Sequence, residues 1–501
     1  MTAQPRVGVH ETHVGIVLLI GDRAYKLKKP VRTDFLDFST PEARRAALRR
    51  ELALNQRLAP DVYLGLSELT PPVGLDGNRR VEADSEYVLV MRRLPDDRRL
   101  STLVREGAAV DQALRDLARL MASFHARADR SPEIKLEGDR VALRGRWTAN
   151  IEQTRPIAGG VIDAALIEEI DRLAMRFLDG RAALFADRLA RDRIVDGHGD
   201  LIADDVFCLD DGPRVIDCLE FDDRLRYVDA LDDVAFLAMD LERLGRPGLA
   251  ERFLDAYVEF SGDPAPTALR HHYIAYRAFV RAKVACVRHQ QGDTGAAGLA
   301  AQYADLTVAH LRAGAVRLAL VGGLPGTGKT TVAGGLADRF GAVLLSSDRV
   351  RKELAGIDPN TSAAAGYREG LYRPERTDAL YAELVRRAGE LLERGESVIL
   401  DASWTAARHR EIAREVAART HSELVEIECR TAFGLARERL LTRGPTASDA
   451  TVEIATAMAA SADPWPEAVV VDTSGSVQAS VDQAAAVWQS VGRHGRRGDG
   501  G

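Results

Sequence analysis

Residues 323–330 read Gly-Leu-Pro-Gly-Thr-Gly-Lys-Thr, which fits G-x-x-x-x-G-K-[ST] without a mismatch. Glycines at these positions let the backbone curl so that its N–H groups point inward, a cradle for phosphate oxygens. The candidate nucleotide-binding run is Gly323, Leu324, Pro325, Gly326, Thr327, Gly328, Lys329, Thr330 and Thr331. In this pattern Lys329 brings a point charge to the β- and γ-phosphates, and the Thr330 hydroxyl ligates magnesium. The expected cofactors are therefore ATP and Mg²⁺. Asp401 closes the run SVILD. A carboxylate at the tip of a neighbouring parallel strand can reach the same magnesium or its waters; the alternative is a cap for the helix that follows. Asp348, in LLSSDRVRKEL, could take the proton of an attacking hydroxyl while Arg349 or Arg351 steers an anionic substrate, or it could cap the next helix. Arg437, Arg439 and Arg443 recur on LARERLLTRG, as on a lid that neutralises charge on a transferring phosphoryl group; solvated helix charges are the duller reading.

A second set lies upstream. His198-Gly199-Asp200 is followed 17 residues later by Asp217, with a DDG turn between. An aspartate in a tight loop beside a histidine can accept a hydroxyl proton while a second aspartate holds magnesium at a triphosphate. The spacing suits a catalytic loop and a metal loop on adjacent hairpin strands. The stretch 196–233 is rich in acids, among them Asp204, Asp205, Asp210, Asp211, Glu220, Asp222 and Asp223. Such a surface favours a cation, although turn and cap positions account for most of these residues.

The elements that must position these groups are legible in outline. Val14–Ile20 and Ala24–Lys28 read as strands about a Gly21-Asp22 turn, 41–58 as a helix capped by Thr40, and Glu86–Met91 as a further strand. Helices dominate from about 111 to 315, interrupted by a β-rich island at 193–219 that holds the strand Arg214–Asp217. Five apolar runs then follow, Val316–Val321, Ala342–Leu345, Ser397–Leu400, Leu424–Cys429 and Ala468–Val471, separated by helical stretches; the helix after the glycine-rich run is expected over Thr331–Phe340. That alternation predicts a doubly wound parallel sheet.

A chain of 501 residues implies more than one core, and 46% hydrophobic with 29% charged residues is the composition of a globular protein. The net charge of −7 argues against a general nucleic-acid binder but leaves room for a local basic groove. Four scattered cysteines, Cys208, Cys218, Cys286 and Cys429, form no CxxC pair and suit reduced thiols. With no apolar segment long enough to span a bilayer and no secretory leader, the expected compartment is the cytoplasm.

The C-terminal motifs GLPGTGKTT, SSDRVR, VILDASW and RERLLTR resemble the zeta-toxin and polynucleotide-kinase-like group of P-loop kinases, also labelled AAA-type ATP-binding, over about residues 316–489. The resemblance implies phosphoryl transfer to a hydroxyl. Upstream, LARLMASFHARAD with His125, RELALNQRLAP with Glu51, Ala24-Tyr25-Lys26 and the hinge-like EYVLVMRRLP resemble the aminoglycoside phosphotransferase family, relatives of protein kinases, over about 10–312. That resemblance implies a lysine, Lys26 or Lys28, paired with Glu51 at the phosphates. It also implies a second magnesium ligand at Asp205, where the family's H-G-D-x-x-x-x-N pattern has asparagine; aspartate keeps a ligating oxygen but loses the amide donor. The repeated glycines of a phosphate-covering loop are missing from HVGIVLLIGD. The whole resembles bacterial two-part proteins of these families.

The expected architecture is thus an α/β multidomain chain: a protein-kinase-like α+β bilobal region (1–93 and 94–314), a P-loop NTPase domain with a doubly wound parallel sheet (315–490), and a disordered tail (491–501). The expected activity is ATP-dependent phosphorylation of a small-molecule hydroxyl, the upstream half being a second kinase. The alternatives are an ATP-driven regulator with a degenerate pseudokinase half, and a polynucleotide 5′-hydroxyl kinase.

Overall fold

A computed structural model describes residues 8–11, 14–32, 37–69, 86–358, 369–442 and 450–490. The tail expected to be disordered, 491–501, lies outside them. The chain divides into two compact units. The first comprises Met1–Asp163, Arg188–Ala265 and Tyr273–Thr307; the second comprises Ala164–Asp187, Pro266–His272 and Val308–Gly501. The helix Ala164–Asp179 thus groups with the P-loop segment rather than with its sequence neighbours.

The first unit opens with a five-stranded antiparallel sheet in the order β1-β2-β3-β5-β4, formed by β1 (Gly8–Glu11), β2 (Gly15–Ile20), β3 (Arg23–Lys28), β4 (Tyr63–Leu69) and β5 (Glu86–Arg92). Gly21 has φ +59°, which lets β2 turn tightly into β3 and sets Gly15 opposite Lys28. The helix Pro41–Asn55 starts as its sequence directs: the Thr40 hydroxyl accepts the Ala43 N–H at 3.2 Å and proline occupies the first turn. It ends at Asn55, short of the expected 58, because residues 56–58 fold into turns instead. Its inner face packs Leu48 with Ala59, Val62, Tyr63 and Leu89 and carries Glu51, fully buried, beneath β3.

The remainder of this unit is mostly helical, including Asp111–Arg127, Arg140–Thr154, Ala230–Arg243 and Pro247–Ser261. Two short sheets interrupt it: β6 (Ile194–Asp196) pairs with β9 (Tyr227–Asp229), and β7 (Val206–Leu209) with β8 (Gly212–Val215). Two expectations need correction here. The strand over 214–217 stops at Val215, because Asp217 adopts φ +61°. Asp200 and Asp217 are not on partner strands: Asp200 follows β6, whereas Asp217 shares its hairpin end with Asp205, whose carbonyl accepts the Ile216 N–H at 2.9 Å.

The second unit holds five parallel strands, β10 (Arg317–Gly322), β11 (Val343–Ser346), β12 (Val398–Asp401), β13 (Glu423–Arg430) and β14 (Val469–Asp472), in the order β11-β12-β10-β13-β14. All five expected strands occur, and order and direction are those of a doubly wound sheet. β10 is central, and its buried Ala319 and Val321 pack with Ile399, Val425, Ile427, Leu336 and Trp488. The chain order changes direction about β10, so its C-terminal end opens a crevice where such sheets bind ligands.

Candidate functional sites

In the second unit the glycine-rich run leaves the tip of β10 and enters the helix Lys329–Phe340, two residues earlier than expected. Gly323, Gly326 and Gly328 have φ of +140°, +84° and +83°. At Gly326 a Cβ would come within 2.5 Å of the Ala436 carbonyl, so both conformation and space require glycine. Gly323, Leu324, Pro325 and Thr327 form the base of the loop: the Thr327 hydroxyl donates to the Leu324 carbonyl at 2.8 Å, and the Gly323 N–H to the Ser403 carbonyl at 3.3 Å. Gly326, Gly328, Lys329, Thr330 and Thr331 face an open cleft of about 690 Å³, with Asp348, Arg349, Asp401 and Arg439 on its other walls.

Thr330 Oγ1 donates to Asp401 Oδ2 at 2.8 Å, while Asp401 Oδ1, buried, has no hydrogen-bond partner among the described residues. Burial pushes the Asp401 carboxyl up, opposed by the Lys329 charge and the Thr330 hydroxyl. Asp401 does not cap a helix, since the next one begins at Ala407. Asp348 is the second residue of the helix Ser347–Leu354; the cap position belongs to Ser346. Arg351 is turned to the Leu371 carbonyl (3.0 Å) and lies over the Tyr372 ring, which leaves Arg349 as the arginine beside Asp348 in the cleft. Arg439 lines the cleft and donates to the Thr473 carbonyl at 2.7 Å. Arg437 is exposed and is not part of the cleft wall, and Arg443 lies outside the described residues. Sequence reasoning missed the wall after β14, made by Thr473, Gly475, Val477 and Ser480. The Thr473 hydroxyl donates to the Thr327 carbonyl at 2.6 Å and so clamps the loop, a role that no motif marks.

In the first unit, Lys26 Nζ lies 2.6 Å from Glu51 and 2.8 Å from Asp217, and Lys28 Nζ lies 2.8 Å from Glu51 and 2.7 Å from Glu220. Both lysines therefore hold Glu51, whose buried charge needs a partner. Only Lys26 lines the adjoining cleft of about 260 Å³, with Asp205, Asp217, Ala24, Met91 and Phe207. The Lys26 charge holds the Asp217 carboxyl below its ordinary range, whereas burial, and then Asp217 and Asp200, push Asp205 well above.

The His-Gly-Asp turn is anchored by a residue that the motif did not reveal. Asp233, fully buried in the first turn of the helix Ala230–Arg243, accepts the backbone N–H groups of His198 and Gly199, each at 2.8 Å, and faces His125 Nε2 at 2.9 Å. Burial opposes its ionisation, yet His125, His198 and these bonds hold its carboxyl below the usual range. His125 Nδ1 meets the Tyr257 hydroxyl at 2.8 Å. His198 does not orient the Asp200 carboxylate. Its Nε2 faces the Ile216 carbonyl at 3.0 Å, which can only accept, so the proton sits there and Nδ1 accepts the Asp200 N–H at 3.4 Å. Burial accordingly lowers the His198 pKa. Burial also raises Asp200, with Arg281 3.8 Å from its carboxylate. The acidic neighbourhood is largely ion-paired: Asp196 with Arg226, Asp211 with Arg214, Asp223 with Arg226 and Glu220 with Lys28.

Fold and sites together define a chain of two units, a kinase-like bilobal unit and a P-loop unit with a parallel sheet. The family model described as an AAA domain matches residues 318–465. The uncharacterized protein Rv2004c of Mycobacterium tuberculosis (strain ATCC 25618 / H37Rv) is 45% identical over 491 residues, 98% of this chain and 97% of its own. The uncharacterized protein Mb2027c of Mycobacterium bovis matches to the same extent. The chain belongs to the family of these mycobacterial proteins. Among solved structures, a choline/ethanolamine kinase family protein from Mesorhizobium loti aligns with 62% of this chain and 94% of its own at 14% identity (TM-score 0.38). A gluconokinase from Sinorhizobium meliloti aligns with 34% of this chain and 90% of its own at 18% identity (TM-score 0.26).

Among the described residues no helix is long and apolar enough to cross a membrane. Nor, among those described residues, does any group of three or more His, Cys, Asp or Glu side chains stand ready to hold a metal ion alone.

Proposed function

We propose that the protein is an ATP-dependent phosphotransferase whose P-loop unit transfers the γ-phosphoryl group to a hydroxyl of a small molecule. The observation that supports this most directly is the meeting of Lys329, Thr330, Asp401 and Asp348 around one cleft at the C-terminal ends of parallel strands. The loop amides and Lys329 grip the triphosphate, and Arg439 is placed to neutralise charge on the transferring group. Asp348, on the opposite wall, accepts the proton of the attacking hydroxyl, and Arg349 beside it binds an anionic part of the acceptor. The donor set suits magnesium, since a hydroxyl and a carboxylate with one unpartnered buried oxygen offer hard ligands that a nucleotide's phosphates would complete. Bound there through Thr330 and Asp401, the ion would supply charge neutralisation between the phosphates.

The first unit has the parts for a second transfer: Asp200 as base, Lys26 for the phosphates, and Asp217 and Asp205 as oxygen ligands. A second reading, in which this unit only senses nucleotide, is favoured by one observation. Asp205 adds a third carboxylate beside Asp200 and Asp217 in place of an amide. Incubating wild type, Lys329→Ala and Asp200→Ala with γ-labelled ATP and a metabolite extract, with mass spectrometry of the products, separates the readings. Label transfer lost only in Lys329→Ala leaves the first unit silent; product formation that survives Lys329→Ala unchanged removes the proposal for the P-loop. An oligonucleotide with a free 5′-hydroxyl, left unlabelled in the same assay, disposes of the polynucleotide alternative.

A further inference from the structure

Away from the nucleotide cleft, the second unit gathers more buried positive charge than it neutralises. Arg181 is 1% exposed, and its Nη1 donates to the carbonyls of Gly180 and Thr420, both at 2.7 Å. Both carbonyls lie just beyond helix C-termini and offset part of the charge, but neither is an anion. Arg181 Nε is buried with no hydrogen-bond partner among the described residues. Arg176 donates to the His421 carbonyl at 3.0 Å and stands 3.5 Å from Glu423, whose other oxygen is held by Arg317 at 2.9 Å. Two guanidinium groups therefore share the Glu423 carboxylate, and Arg181 is in ion-pair contact with no carboxylate among the described residues. The acid that acts on Arg181 from farther off, Glu393, is itself 4.0 Å from Arg419.

The imbalance shows in the ionisation of all three. Burial lowers Arg176 and Arg317, with the Glu423 carboxylate only partly restoring them, and it brings Arg181 down to about 9. Buried arginines elsewhere behave in the opposite way. Arg188, Arg226 and Arg277 lie above their ordinary range despite burial, because each has carboxylates of its own. A guanidinium does not lose its proton in a folded protein, so the shortfall calls for a counter-charge. Arg176 and Arg181 line a small cavity with Phe177, His272, His421 and Glu423, and its free volume of about 20 Å³ is room for a single water-sized species. Burial lowers His272 to about 3, so it is neutral there and stacks on Phe177.

We propose that this cavity is an anion site in which Arg181, assisted by Arg176, holds one small monovalent anion of chloride size. The site shares no lining residue with the phosphate cradle at Lys329, and its tight floor fits a small ion rather than a triphosphate. An anion bound there would fasten the helix Ala164–Asp179 to the start of β13 and make the stability of this unit depend on halide.

The test uses the full chain without nucleotide. Thermal unfolding is followed at fixed ionic strength and fixed sodium while chloride is exchanged for methanesulfonate. The Tm of the second unit should rise with chloride and saturate, as for a ligand that binds only the folded state. Bromide should act like chloride, and Lys329→Ala should keep the dependence, since the P-loop is then removed as a competing anion site. Arg181→Met should abolish it. Should that variant fail to fold, crystals of the wild type soaked in bromide decide the matter by anomalous scattering, with a peak expected beside Arg181. A Tm indifferent to chloride, or a cavity holding only water in bromide-soaked crystals, overturns the proposal.

Discussion

Replacing Asp233 by asparagine removes the one negative charge on which the His-Gly-Asp turn is hung. The wild-type carboxylate accepts the amides of His198 and Gly199 and faces the His125 ring, all inside 3 Å and without solvent. An asparagine side chain can accept at one oxygen only, so its NH₂ must confront a backbone N–H or the His125 nitrogen, and a buried donor goes unsatisfied. Removing one partner from such a buried charged set costs about 3–5 kcal/mol, a large share of a domain's stability. The change falls on the first unit alone, so a denaturant titration should show its transition shifted and that of the P-loop unit in place. Hydrogen exchange gives the sharper readout: the amides of His198 and Gly199 should lose protection in Asp233→Asn, and any label transfer that depends on Asp200 should fall with it. The pH dependence follows from the sign of the shift. A carboxyl held below its ordinary range stabilises fully above the unfolded-chain value of about 3.9, and that stability is lost as pH falls through the folded value. Wild type should therefore show a steeper acid loss of first-unit stability than the asparagine variant, whose remaining ion-paired carboxylates still titrate. If both amides keep their protection and the first transition does not move, the carboxylate is not what holds the turn and the reasoning is wrong.

The two lysines on Glu51 should separate by function. Lys28→Met leaves buried Glu51 with Lys26 alone and strands half-buried Glu220, and should destabilise the first unit by roughly 3 kcal/mol, whereas Lys26→Met should chiefly weaken nucleotide binding in the 260 Å³ cleft; equal effects on binding, read by calorimetry, would contradict this division. Gly326→Ala forces a Cβ against the Ala436 carbonyl at φ +84°, a strain of about 1–3 kcal/mol from the backbone alone, and should remove ATP binding by the P-loop unit while leaving the first unit's melting unchanged. Thr330→Val leaves Asp401 buried with neither oxygen hydrogen-bonded, a cost of about 1–3 kcal/mol, so the second unit should melt earlier even without nucleotide; an unchanged Tm would show that the hydroxyl contributes only when ligand is bound.

The phosphate cradle was legible because its geometry is local. Positive φ at Gly326 and Gly328, a lysine opening a helix and a preceding buried strand all lie within a dozen residues, and short-range sterics decide them. The five strands of the parallel sheet were equally plain, since each is an apolar run bounded by helix signals. What periodicity could not supply is which side chain finds which partner. Lys26 and Lys28 stand two apart on one strand and look alike in sequence, yet one reaches Asp217 across 191 positions and the other Glu220 across 192. Asp233 was one acid among many until folding brought it to His125, 108 residues away, and to the two amides it carries. Arg176 and Arg317, which share Glu423, come from a helix and a strand far apart in the chain, and nothing in their local sequence marks them. Backbone turns answer to their immediate neighbours, so residue order is enough to specify them; ionisation and charge balance answer to burial and to distance in space, which exist only once the chain has packed.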